Sequence, residues 1–120
     1  MGERPVLVVD DDADMRHMTE TVLAYAGIAT VSAVNGLDAL ERARSVRPSV
    51  ILLDLMMPVM DGYEFRARQL QDPVLRKIPV ICVTAVPPRE SDARKLQVDA
   101  CVQKPVDWEE LLKAVLQYAA

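Results

Sequence analysis

The sequence has no long apolar run, no stripe of basic residues, and no cluster of cysteine or histidine. No apolar stretch approaches the ~20 residues that a membrane-spanning helix needs. Met1–Pro5 is polar, and the apolar run after it is too short for a secretory leader. These absences predict a soluble, cytoplasmic protein without membrane contact. The 14 Lys and Arg residues are scattered among 18 acids, and the formal net charge is −4. That balance excludes an electrostatic footprint for direct nucleic-acid binding. Cys82 and Cys101 sit in apolar runs without C-x-x-C spacing. Both are expected to be reduced, buried thiols. The one histidine, His17, is expected on an exposed helix position. Met15, Met18, Met56, Met57 and Met60 are expected to pack, not to bind a soft metal. Repeats, low-complexity tracts and linkers are also missing.

What remains fits one core. The chain has 120 residues, of which 51% are hydrophobic. Residues 1–120 are expected to form a single domain, with no output domain.

Short apolar runs alternate with helical patterns. Val6–Val9 is a strand that stops at Asp10. Met15, Met18, Val22 and Ala26 follow at helical spacing, and Gly27 suits the stop. Ala29–Ala33 reads as a second strand. Leu37, Leu40 and Ala43 share a helix face, closed by Pro48 at the latest. Val50–Leu53 is continuously apolar, as a strand covered on both faces requires, and it stops at Asp54. Asp61 and Glu64 have capping-box spacing for a helix to about Leu70. Pro79–Val83 ends at Thr84. Pro87-Pro88 then interrupts the chain before a short helix over Arg89–Gln97. Ala100–Val102 is a brief strand ending near Lys104. Asp107 and Glu110 repeat the capping-box spacing. Trp108, Leu111, Leu112, Val115 and Leu116 then mark the apolar stripe of a last helix. Five strand–helix units predict an α/β fold with a parallel sheet and helices on both faces.

In such a sheet the carboxyl ends of the strands form the ligand crevice. The residues that stop the strands should therefore meet there: Asp10, Asp11 and Asp12, then Asp54, Thr84 and Lys104. Clustered carboxylates raise one another's pKa values, and a hard cation such as Mg²⁺ relieves the repulsion. Asp11 and Asp54 can supply oxygens to it, with a backbone carbonyl just after Asp54. Asp54 then has an oxygen free to attack phosphorus, as in aspartyl-phosphate chemistry. Lys104 would neutralise charge on the transferred group, and the Thr84 hydroxyl would donate to it. Asp12 is as well explained as a helix cap.

At these residues the sequence resembles the receiver domain of two-component response regulators, over essentially its whole length. Val6-Leu-Val-Val-Asp10-Asp11-Asp12 is similar to the acidic signature of the first strand. Asp54-Leu-Met-Met-Pro58 with Met60-Asp61-Gly62 is similar to the phosphoacceptor loop. Val83-Thr84-Ala85, Lys104-Pro105 and Asn35-Gly36 match further family positions. The resemblance implies a flavodoxin-like doubly wound sheet of five strands, order 2-1-3-4-5, with five helices. It implies Asp54 as phosphoacceptor and Asp11 as Mg²⁺ ligand. Asp10 would act mainly through water, and the Met56 backbone carbonyl would complete the metal set. It also implies Thr84 and Lys104 as the phosphate-contacting pair, and a cis Lys104–Pro105 bond. The implied partners are a sensor histidine kinase or histidine phosphotransfer protein and a downstream protein target. A homodimer through the fourth helix and fifth strand is a further expectation.

The sequence departs from the family around that face. Cys101 stands where a switch Tyr or Phe is usual, and Gln97-Val98 where Gly-Ala is usual. The stretch from Thr84 to Lys104 is short. Met56 and Val86 flank the pocket with apolar side chains, so slow self-dephosphorylation is expected, and no other enzyme activity. Two alternatives fit fewer residues. One is a phosphohydrolase of the haloacid-dehalogenase type, using Asp10-Asp11-Asp12 as its D-x-D. The other is an interaction module that works without phosphorylation.

Overall fold

The computed structural model describes residues 4–119, so the first residues of the Met1–Pro5 segment lie outside the described residues. Five strands alternate with five helices: β1 Val6–Val9, α1 Ala13–Tyr25, β2 Thr30–Ala33, α2 Gly36–Val46, β3 Val50–Leu53, α3 Gly62–Gln71, β4 Val80–Thr84, α4 Glu90–Leu96, β5 Ala100–Gln103 and α5 Trp108–Tyr118. A single 3₁₀ turn, Leu75–Lys77, precedes β4. All pairings are parallel, in the order β2-β1-β3-β4-β5.

The continuous apolar runs are explained by their place in this sheet. The residues of β1, β3 and β4 alternate between two cores and are buried on both sides. Leu7, Val9, Ile51, Leu53, Val80 and Cys82 face Leu40 of α2, Phe65 of α3 and Leu96 of α4. Val6, Val8, Val50, Leu52, Ile81, Val83 and Val102 face Leu23 of α1 and Leu111 and Val115 of α5. Trp108 packs on the second core, as its place in the apolar stripe predicts.

Polar side chains start four of the helices. Asp12 caps α1 by accepting from Asp14 N and Met15 N. Asn35 caps α2, Asp61 caps α3 and Asp107 caps α5. Each such cap stabilises a helix by about 1 kcal/mol. Only half of the α3 capping box forms, because the Glu64 carboxylate turns to Arg68 at 2.8 Å. α4 is the exception: it is seven residues long and has no side-chain cap.

The two edge strands differ from the central ones. In β5 only Val102 is buried, and Cys101 is exposed. The expectation that both cysteines are buried therefore fails for Cys101. An apolar residue in a short strand is buried only if another element covers its face, and β5 has a neighbour on one side alone. Met18 and Met56 are likewise exposed, whereas Met57 and Met60 are buried. No helix among the described residues is long and apolar enough to cross a membrane.

Candidate functional site

The strand ends deliver the polar residues to one edge. The backbone ladder continues one step past β1 and β3. Asp10 N donates to Ala33 O at 3.2 Å, and Asp54 N donates to Val9 O at 3.0 Å. This sets the two aspartates side by side, at 5% and 6% exposure. Lys104 N donates to Thr84 O at 2.9 Å, which carries the lysine past the end of β5. Its ammonium lies 2.9 Å from Asp10 Oδ2 and 3.3 Å from Asp54 Oδ2. The Lys104–Pro105 peptide bond is cis.

The other oxygen of each carboxylate accepts from a backbone amide. Asp10 Oδ1 accepts from Asp12 N at 2.9 Å, and Asp54 Oδ1 accepts from Met56 N at 3.3 Å. Arg16 on α1 donates to Asp10 O at 2.8 Å and steadies the acidic turn. Sequence reasoning missed Arg16; its signal is a cation one turn after the cap Asp12, on the side facing β1.

The electrostatics follow from burial and charge count. One ammonium serves two buried carboxylates. Burial, then the Asp10 charge, raises the Asp54 pKa above its ordinary 3.8, and Lys104 and the Met56 amide offset only part of this. Burial works against the charge on Lys104, but Asp10 and Asp54 together hold its pKa above the ordinary 10.5. Asp11 is exposed and adds a third carboxylate; oxygens of Asp10, Asp11 and Asp54 lie within 4.8 Å of one another. An all-oxygen donor set with excess negative charge suits a hard divalent cation.

Thr84 is placed differently. It ends β4 with 1% exposure, and its hydroxyl is engaged by the backbone of Val86, donating to the carbonyl at 3.3 Å and accepting from the amide at 3.4 Å. The fold thus joins Asp10, Asp54 and Lys104 directly, with Asp11 in reach, while the Thr84 hydroxyl is turned to its own loop. Met56 and Val86 are both well exposed.

The loop after Asp54 is closed tightly by two glycines. A Cβ on Gly62 would lie 2.5 Å from Asp54 O, and one on Gly36 would lie 2.7 Å from the Met60 side chain. Between them Val59 adopts φ 70°, and Met60 N donates to Pro58 O at 2.8 Å across it. A β-branched residue in that region is strained. Val59→Gly is expected to raise stability by roughly 1 kcal/mol. The urea midpoint should rise with an unchanged slope; a midpoint at or below the parent's would show that the loop absorbs the strain elsewhere.

The family model described as response regulator receiver domain matches residues 6–116. Protein PilG of Pseudomonas aeruginosa is 32% identical over 92% of this chain and 83% of its own. The polar-differentiation response regulator DivK of Brucella anthropi is 31% identical over 96% of this chain and 95% of its own. The structure of the chemotaxis protein CheY4 of Vibrio cholerae superposes with a TM-score of 0.89, at 29% identity, over 98% of this chain and 99% of that one. The chain therefore belongs to the response regulator receiver domains, the phosphoacceptor modules of two-component signalling.

Proposed function

We propose that Asp54 is the phosphoacceptor. The observation that carries this is the single ammonium of Lys104 set between Asp10 and Asp54 at the sheet edge. Asp54 is the acid that combines burial, a raised pKa and a strand-end position in the loop similar to the family's acceptor loop. A raised pKa makes its carboxylate more basic, and so a stronger nucleophile once ionised. Attack by Asp54 on the phosphorus of a phosphohistidine would form an acyl phosphate and release the imidazole. Lys104 stands close enough to Asp54 to follow a phosphoryl oxygen. The Thr84 hydroxyl makes only long contacts to Val86 and can exchange them for a phosphoryl oxygen at small cost.

Asp11, Asp54 and the Met56 backbone carbonyl would hold Mg²⁺, with Asp10 contributing through water. When bound, it would supply positive charge against the repulsion of the carboxylates and against the charge of the transferred group. The donor is a sensor histidine kinase or phosphotransfer protein, and the readout is a changed affinity for a downstream protein target or a second copy, through the α4–β5 face. The exposed apolar side chains of Met56 and Val86 offer no group to orient a hydrolytic water, so the acyl phosphate is long-lived. The phosphohydrolase and phosphorylation-independent readings are not favoured by the relatives.

Incubation with acetyl phosphate tests this. One phosphoryl group should map to the peptide holding Asp54, and none should be taken up when a chelator removes Mg²⁺ beforehand. Uptake should fall once acid protonates the Asp54 carboxylate, which must be ionised to attack phosphorus. A label on another residue, or one indifferent to chelation, would sink the assignment.

A further inference from the structure

The two cysteines play no part in the site just described. Cys82 on β4 and Cys101 on β5 are direct partners in the parallel register. Ala100 and Val102, on either side of Cys101, pack into the core beneath α1 and α5. Alternation along the strand therefore turns Cys101 to the opposite face, where Cys82 belongs to the core beneath α2, α3 and α4. The two thiols are thus cross-strand neighbours on one face, Cys82 fully buried and Cys101 exposed.

Neighbouring strands run about 4.8 Å apart. That separation lies within the roughly 4.4–6.8 Å between Cα atoms that disulfides span. Bridging asks only for a small approach of the side chains, and β5 is a four-residue edge strand with one neighbour. The closeness of the two thiols separates their acidities: beside Cys82 the Cys101 pKa lies below its ordinary 9.0, against burial, and beside Cys101 the Cys82 thiol is pushed up, as burial also pushes it. An exposed, more acidic thiol beside a buried partner is the arrangement of a redox-responsive pair.

We propose that Cys101 and Cys82 form a reversible intramolecular disulfide on exposure to a peroxide, with Cys101 as the attacking thiol and Cys82 as the resolving one. The Cys101 thiolate attacks one oxygen of hydrogen peroxide. The O–O bond breaks, an S–O bond forms, and the departing hydroxide takes up the proton that Cys101 released. The Cys82 sulfur then attacks the sulfenic sulfur of Cys101. The S–S bond forms, the S–O bond breaks, and the hydroxide leaves as water with the Cys82 proton. Two thiols lose two electrons and the peroxide becomes two waters. The bond ties β5 to β4 two residues before Thr84, on the edge that carries Lys104.

The test uses the reduced full chain, treated with hydrogen peroxide, alkylated in denaturant and mapped by mass without reductant. The wild type should lose two hydrogens and join the tryptic peptide of Cys82 to that of Cys101, and dithiothreitol should restore both thiols. Cys101→Ser should keep Cys82 alkylatable throughout. Cys82→Ala should stop at a sulfenic acid on Cys101 that dimedone captures; Cys82→Val serves if the smaller side chain prevents folding. The proposal is overturned if the wild type keeps both thiols, if links form only between chains, or if Cys82 oxidises as readily in Cys101→Ser. None of these readouts involves Asp54, so failure here leaves the phosphoacceptor assignment standing, and the reverse.

Discussion

The Asp54→Asn protein is expected to take up no phosphoryl group from acetyl phosphate and, at neutral pH without divalent cation, to unfold at a higher temperature than its parent. The first part follows because an amide oxygen is a poor nucleophile and cannot form the acyl phosphate; labelling should fall to background. The second follows from where Asp54 sits. It is 6% exposed, and burial, then the neighbouring Asp10 charge, disfavours its ionised form. A carboxylate whose folded pKa lies above its unfolded value holds a proton more readily when folded. Below the ordinary value both states are protonated and nothing is lost. Above the raised value the folded state alone carries the desolvated charge, so stability falls as pH rises through it.

Asparagine removes that burden and keeps an oxygen to accept from Met56 N, while Lys104 retains its shorter bond to Asp10. The gain should be on the order of 1 kcal/mol, or ~3–6 °C. It should vanish as pH is lowered into the range where Asp54 protonates. Adding Mg²⁺ should narrow the gap, because binding to the folded parent stabilises it by mass action. Thermal melts across pH, with and without Mg²⁺, check all three points. A melting temperature for Asp54→Asn below the parent's would mean that the ion pair with Lys104 outweighs desolvation.

Replacing Arg66 by Ala should remove about 3–4 kcal/mol of stability. A domain of this size has roughly 6–15 kcal/mol in total, so much of it would be lost. Arg66 lies on α3 at 5% exposure. Its Nε donates to Leu96 O at 2.7 Å, one terminal nitrogen donates to Gln97 O at 2.6 Å, and the other donates to Gln69 Oε1 at 2.8 Å. Gln69, itself fully buried, passes the network on by donating to Leu75 O and Ile78 O.

The guanidinium thus satisfies the carbonyls that end α4, where the helix dipole is negative. α4 needs that support, since its first turn lacks a side-chain cap and Gln97 closes it at φ 50°. Burial lowers the Arg66 pKa, partly opposed by the Asp99 charge, so a desolvation cost works against the network. Three short bonds outweigh it, because alanine would leave the buried Leu96 O and Gln69 Oε1 without this donor, along with the part-buried Gln97 O. Arg66→Met keeps the stem's packing and loses only the hydrogen bonds, so it should cost about 1–2 kcal/mol. Urea melts give the totals, and amide exchange should quicken first in α4. An Arg66→Ala protein as stable as Arg66→Met would show that the hydrogen bonds, not the packing of the stem, dominate. Exchange unchanged in α4 would show that the helix does not depend on this clasp.

Much of this molecule is legible in the sequence because it is set locally. Val6–Val9 and Val50–Leu53 are apolar without interruption, which only a doubly covered parallel strand tolerates, and each stops at the aspartate that the crevice needs. Asp12, Asp61 and Asp107 mark helix starts with side chains that reach three residues at most. From such features the element order and the residues brought to one edge can be read, whereas the strand order follows only from the resemblance to receiver domains. The rest depends on which groups compete for a partner in space. Spacing could not tell that the Thr84 hydroxyl turns to Val86, or that Lys104 lies nearer Asp10 than Asp54. Arg66 looks like a surface residue until α4 is laid across it, 30 residues later in the chain. Cys101 looks buried until β5 proves to be an edge strand. Exposure and hydrogen-bond choice are properties of neighbours that packing assembles, and only the folded chain decides who those neighbours are.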